Sequence, residues 1–72
     1  MNKDRQLSVK QKQILDFIRS EISEKNYAPS VREICNNVNL KSTSSVHAHL
    51  VTLEKKGYIK KDPSKPRNIT LV

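Results

Sequence analysis

The sequence predicts a mainly α domain closed by a small antiparallel β-hairpin: three helices, then two short strands. Apolar residues recur at helical spacing in three separate stretches, and a Ser able to cap a helix stands at the start of each. After Gly57, the only glycine, the spacing changes to alternation. A chain of 72 residues has room for one domain.

The first helix is expected from Val9 to Lys25, with residues 1–6 as a flexible lead. Ser8 is a good N-cap, and Gln11 three residues on completes a capping box. Ile14, Leu15, Ile18 and Ile22 follow helical spacing with Phe17 beside them, while Lys12, Asp16, Arg19 and Ser23 take the other side. Asn26-Tyr27-Ala28-Pro29 should end this helix, because Pro29 biases Ala28 away from helical geometry.

Ser30-Val31-Arg32-Glu33 is a second capping box, opening a short helix over about 31–38, ending at Asn37 or Val38, whose face is Val31, Ile34, Cys35 and Val38. Cys35 reads as a small core residue, since the chain has no second thiol. Asn39-Leu40-Lys41 is then a tight turn needing one residue at positive φ, for which Asn39 is suited. The third helix is expected over 43–56, with Ser42 as N-cap and Gly57 as left-handed C-cap. Val46, Leu50 and Leu53 form its inner stripe. Ser44, Ser45, Ala48 and Thr52 fall on the opposite side, flanked by His47 and Val51.

Strands are expected over 58–61 and 68–72, joined by the turn chemistry of Pro63-Ser64-Lys65-Pro66-Arg67. Ile59, Ile69 and Leu71 should face the helices, with Lys65 and Arg67 at the tip in solvent.

Composition limits the function classes. Leu, Ile, Val and Phe supply 19 of 72 residues, enough for a thin core. No apolar run reaches a membrane span, and no signal-peptide core follows Met1, so a cytoplasmic or nucleoid location is expected. The net charge is +7, from 14 Lys plus Arg against 7 Asp plus Glu. Residues 1–27 hold six cations and four acids, residues 28–72 eight cations and three acids. Between Lys55 and Arg67 six cations face only Asp62. A polyanion is the natural partner, because neutralising phosphates releases condensed counterions.

Two packed helices, a tight turn, a further helix and a basic hairpin form the order of a winged helix-turn-helix, whose second motif helix enters the DNA major groove. The outer face of the third helix suits that task. Its small side chains permit close approach, its hydroxyls can bond base edges, and Ala48 can meet a thymine methyl. The N-terminus of the helix adds oriented N–H groups for phosphates.

The stretches Leu7-Ser8-Val9-Lys10-Gln11, Tyr27-Ala28-Pro29-Ser30-Val31-Arg32-Glu33-Ile34, Ser45-Val46-His47-Ala48-His49-Leu50, Leu53-Glu54-Lys55-Lys56-Gly57 and Asp62-Pro63-Ser64-Lys65-Pro66-Arg67 together resemble the N-terminal DNA-binding domain of LexA repressors, low-GC Gram-positive type. The resemblance runs from about Leu7 to Val72. It implies a repressor of the DNA-damage (SOS) response that binds a palindromic operator in double-stranded DNA. Base contacts are implied at Ser42, Ser44, Ser45, His47 and Ala48. Phosphate contacts are implied at Ser30, Arg32, Lys41, Thr43, Lys55, Lys60, Lys65 and Arg67. The isolated domain is expected to be monomeric in solution and dimeric on DNA, and the full-length protein a homodimer responding to the RecA filament. Family members continue through an Ala-Gly cleavage site into a Ser/Lys self-cleaving peptidase and dimerisation domain; this chain carries no such segment and is expected not to be an enzyme itself. Asn39 departs from the family, occupying a turn position where Gly is usual.

No cofactor or metal is expected. His47 and His49 project ~160° apart on a helix and cannot share an ion. A generic winged-helix regulator of another regulon, or a winged-helix protein-interaction module, stays open beside the repressor. Tyr27, Tyr58 and Phe17 are sparse aromatic content for a protein hot spot.

Overall fold

The computed structural model describes residues 7–62, 64 and 69–72. It contains helices α1 (Val9–Lys25), α2 (Val31–Asn37) and α3 (Thr43–Lys55), followed by strands β1 (Ile59–Lys61) and β2 (Ile69–Leu71). The flexible lead expected over 1–6 lies outside the described residues.

Both capping boxes form. Ser8 Oγ accepts the Gln11 N–H while Gln11 Oε1 accepts the Ser8 N–H, each at 3.1 Å. At α2, Glu33 Oε1 accepts the Ser30 N–H at 2.8 Å, and Ser30 Oγ accepts the Glu33 N–H at 3.2 Å. A helix of seven residues has few internal bonds, so these two supply much of its definition.

α1 ends at Lys25, as expected, but by a different stop: its C-cap Asn26 adopts left-handed geometry at φ 64° and donates its N–H to Ile22 O at 2.9 Å. Pro29 is therefore not the terminator; it is buried, beside buried Ala28, in the connection that follows. α2 ends at Asn37, the earlier of its two expected ends, with Val38 as the C-cap. Asn39 takes the positive φ expected of it, 57°. The Leu40 N–H then reaches back to Cys35 O at 3.1 Å, the longer bond of a Schellman-type ending. Cys35 is buried and its thiol donates to Leu40 O at 3.1 Å, closing the same turn.

α3 ends at Lys55 rather than Lys56, which is its C-cap. Gly57 follows at φ 86°. The Gly57 N–H bonds Glu54 O and the Tyr58 N–H bonds Leu53 O, both at 3.0 Å, which is a full Schellman motif. This motif turns the chain from α3 directly into β1.

The strands pair antiparallel with Ile59 opposite Leu71, Lys60 opposite Thr70 and Lys61 opposite Ile69. They are shorter than the expected 58–61 and 68–72. Tyr58 lies outside β1, although its carbonyl accepts the Val72 N–H at 3.1 Å, and Asn68 is outside the described residues. Ile59 and Ile69 are buried and Leu71 is half-buried against the helices, while Lys60 and Thr70 share the exposed face. The core is built from Ile14, Leu15 and Ile18 of α1, Ile34 and Cys35 of α2, Val46, Leu50 and Leu53 of α3, and the two strand isoleucines. Among the described residues it buries no polar or charged side chain, so the fold rests on apolar area and capping.

Candidate nucleic-acid interface

α3 separates its two duties by face. Val46, Leu50 and Leu53 are fully buried, which fixes the rotation of the helix on α1 and α2. Rotation in turn leaves Thr43, Ser44, His47, Ala48 and Val51 exposed, with Ser45 and Thr52 half-buried at the border. Ser44, His47 and Ala48 are neighbours at helical spacings of three and four, so they form one contiguous patch. The patch holds no carboxylate.

The hydroxyls at the helix entrance are not equivalent. Ser42 Oγ caps α3, accepting the Ser45 N–H at 3.4 Å, and lies 3.3 Å from Ser45 Oγ. These two serines share a local bond, whereas Ser44 projects from the exposed patch. Thr52 Oγ1 donates back to Ala48 O at 3.2 Å, so its hydroxyl proton is used within the helix. Asn39 at positive φ and the Leu40 turn set α3 against α2, and this turn has a further support. Lys10 Nζ donates to Val38 O at 2.8 Å across 28 residues, placing a cation on the unpaired carbonyl end of α2.

Exposed cations lie on the elements that precede and follow this patch along the chain. Arg32 is exposed in the first turn of α2, just after Ser30, whose Oγ accepts the Glu33 N–H of the cap. Lys41 is exposed in the turn before Ser42, and Lys55 in the last turn of α3. Lys60 is exposed on the outer face of β1. Asp62 Oδ1 accepts both the Ser64 N–H at 3.0 Å and the Ser64 hydroxyl at 2.6 Å, just beyond the end of β1. The expected tip positions Lys65 and Arg67 lie outside the described residues. Sequence reasoning passed over Lys10 and Glu54; the first leaves no local signal, and the second is marked only by being an acid among lysines.

Elsewhere on the surface, a groove of about 520 Å³ runs between α1 and α2, lined by Lys10, Gln13, Asp16, Phe17, Ser20 and the Asn37–Asn39 segment, with no residue from α3 or the strands. On α1, Lys25 Nζ pairs with Glu21 Oε1 at 3.0 Å; this hydrogen bond and the Glu21 charge raise the Lys25 pKa above its usual value. Among the described residues no helix is long and apolar enough to cross a membrane.

The family model described as the LexA DNA binding domain matches residues 4–68. The chain belongs to this LexA family. It is 62% identical over 68 residues to a LexA repressor of Caldicellulosiruptor saccharolyticus, covering 94% of this chain and 34% of that protein. It is 59% identical over 69 residues to a LexA repressor of Syntrophomonas wolfei, covering 96% of this chain and 34% of that one. A LexA repressor of Clostridium acetobutylicum is 60% identical over 62 residues, covering 86% of this chain and 30% of its own length. The chain thus spans about a third of the length of these curated relatives. The three helices and two-stranded hairpin are a winged helix-turn-helix, with β1 and β2 as the wing, and the matched segment is the DNA-binding part of LexA.

Proposed function

We propose that this domain reads a palindromic operator for a repressor of the bacterial DNA-damage response, with α3 in the major groove. The exposed, carboxylate-free patch at the start of α3, with exposed cations on the elements that precede and follow it along the chain, is the observation that carries this reading. Ser44, His47 and Ala48 meet base edges from the patch, and Ser42 and Ser45 from the capped entrance. Small hydroxyl and methyl groups let the backbone approach closely, and each good base contact discriminates by about 1–3 kcal/mol. Ser30, Arg32, Lys41 and Thr43 grip phosphates near the motif turn, and Lys55, Lys60, Lys65 and Arg67 do so from the wing side. Their contribution is independent of sequence and falls with salt.

The domain is monomeric in solution and pairs on the two half-sites of the palindrome. Homodimerisation, repression of the SOS genes, self-cleavage and the response to a RecA filament belong to the whole repressor, on the bacterial nucleoid. Selection from random duplexes at physiological salt tests the reading. Recovery of a palindrome with fixed half-site spacing is expected, and Ser44→Ala with Ser45→Ala should relax sequence preference at defined positions. Equal weakening of selected and random duplex by that double variant would remove both serines as readers. Recovery of no common sequence would favour a docking module.

A further inference from the structure

Glu54 is placed against two physical preferences. It lies in the last turn of α3, where the helix dipole favours cations. It also stands in the chain among Lys55, Lys56, Lys60 and Lys61, cations that would draw a polyanion. An exposed carboxylate there weakens both helix and DNA binding unless it makes a compensating contact.

That contact is with the wing. Glu54 Oε2 accepts the backbone N–H of Lys61 at 3.4 Å. The register explains why this N–H is available. Tyr58 and Val72 are joined by a ladder bond, and in an antiparallel pair bonded and non-bonded positions alternate. Lys60 and Thr70 are then the next bonded pair, and the Lys61 N–H points away from β2. The Schellman bonds tie Gly57 and Tyr58 to the carbonyls of Glu54 and Leu53. The Glu54 side chain carries the same attachment three residues further along, to Lys61 at the end of β1.

We propose that Glu54 is a positioning residue for the wing, its carboxylate holding β1 at Lys61 and so setting where Lys60 meets the DNA backbone, an inference that rests on the DNA-binding reading above. Removing the acid alone should strengthen binding to any duplex, since a charge of the same sign as the phosphates is lost from among these lysines. Losing the tether should weaken binding to the operator. The two effects have opposite sign.

The test compares wild type, Glu54→Ala and Glu54→Gln as purified domains, on a palindromic duplex recovered by selection and on a scrambled duplex of equal length. Exchange of the Lys61 amide is followed by NMR without DNA, and thermal unfolding checks that all three fold. E54A should exchange Lys61 faster and bind the palindrome about three- to tenfold more weakly. E54Q keeps an acceptor oxygen, so it should retain slow exchange and bind the palindrome at least as tightly as wild type. E54A binding as well as or better than wild type overturns the proposal, as does unchanged Lys61 exchange in E54A. A wild-type domain that binds neither duplex overturns the DNA reading and this inference with it, whereas wild-type binding with E54A unimpaired overturns this inference alone.

Discussion

Gly57 permits a prediction in which sterics and backbone conformation are cleanly separated. Its φ is 86°, and a Cβ built there meets no atom within 4 Å. Any cost of Gly57→Ala is therefore the cost of holding an L-residue in left-handed geometry, about 1–2 kcal/mol. The unfolded chain loses freedom on the same change, which returns roughly 0.4–1 kcal/mol to the folded state. The net expectation is a loss of about 1 kcal/mol. For a domain of this size total stability is of order 4–11 kcal/mol, and that loss lowers Tm by about 4–8 °C. Gly57→Asn places the same Cβ in the same open space but tolerates the conformation better, so it should lie between Ala and wild type. Urea and thermal unfolding followed by circular dichroism measure all three, with an unchanged denaturant slope. An Ala variant as stable as wild type would refute the argument. So would an Asn variant that loses as much as Ala, because Asn tolerates left-handed geometry better than Ala does.

Three further outcomes are expected. Ser30→Ala removes the N-cap of a seven-residue helix and should cost about 1 kcal/mol in thermal unfolding, whereas Glu33→Gln keeps the reciprocal bond to Ser30 and should cost less than that. Lys10→Met takes the cation from Val38 O and should cost about 1 kcal/mol, with faster amide exchange at the end of α2; exchange accelerated only in α1 would contradict that assignment. Lys25 has a raised folded pKa through its bond to Glu21, so the pair's contribution is fully present below the ordinary lysine value of 10.5 and is lost as pH rises through the folded value. The stability difference between wild type and Glu21→Gln should therefore hold at neutral pH and vanish in strong alkali, as read by urea unfolding at both.

The elements legible in the sequence are those whose signals are local. Ser8 with Gln11 and Ser30 with Glu33 announce their helices within four residues, and Asn39 between two apolar stripes announces its positive φ. Val46, Leu50 and Leu53 fix the rotation of α3, so the exposure of Ser44 and Ala48 with His47 at their flank follows by geometry, whereas Ser45 and Thr52, expected on the same face, are half-buried at its border. The end of α1 at Lys25 was legible but its cause was not, because two terminators stand close together and the left-handed Asn26 acts before Pro29 does. Lys10 on Val38 O and Lys61 N–H on Glu54 were hidden for another reason. A lysine or glutamate on an exposed helix face looks like a solvated charge until the chain that it grips is brought alongside.

The division of α3 into a buried stripe and a separate outward patch has a consequence for how such a domain can change over time. Ser44, His47 and Ala48 take no part in the core or in the capping of the helix, while Ser42 and Ser45 hold its first turn together. Mutational drift or a designed library confined to the first three positions can explore new target sequences with little penalty in folding. The same library extended to Ser42 would pay for each new preference in stability, so inherited variation in binding preference is channelled through three side chains of thirteen in the helix.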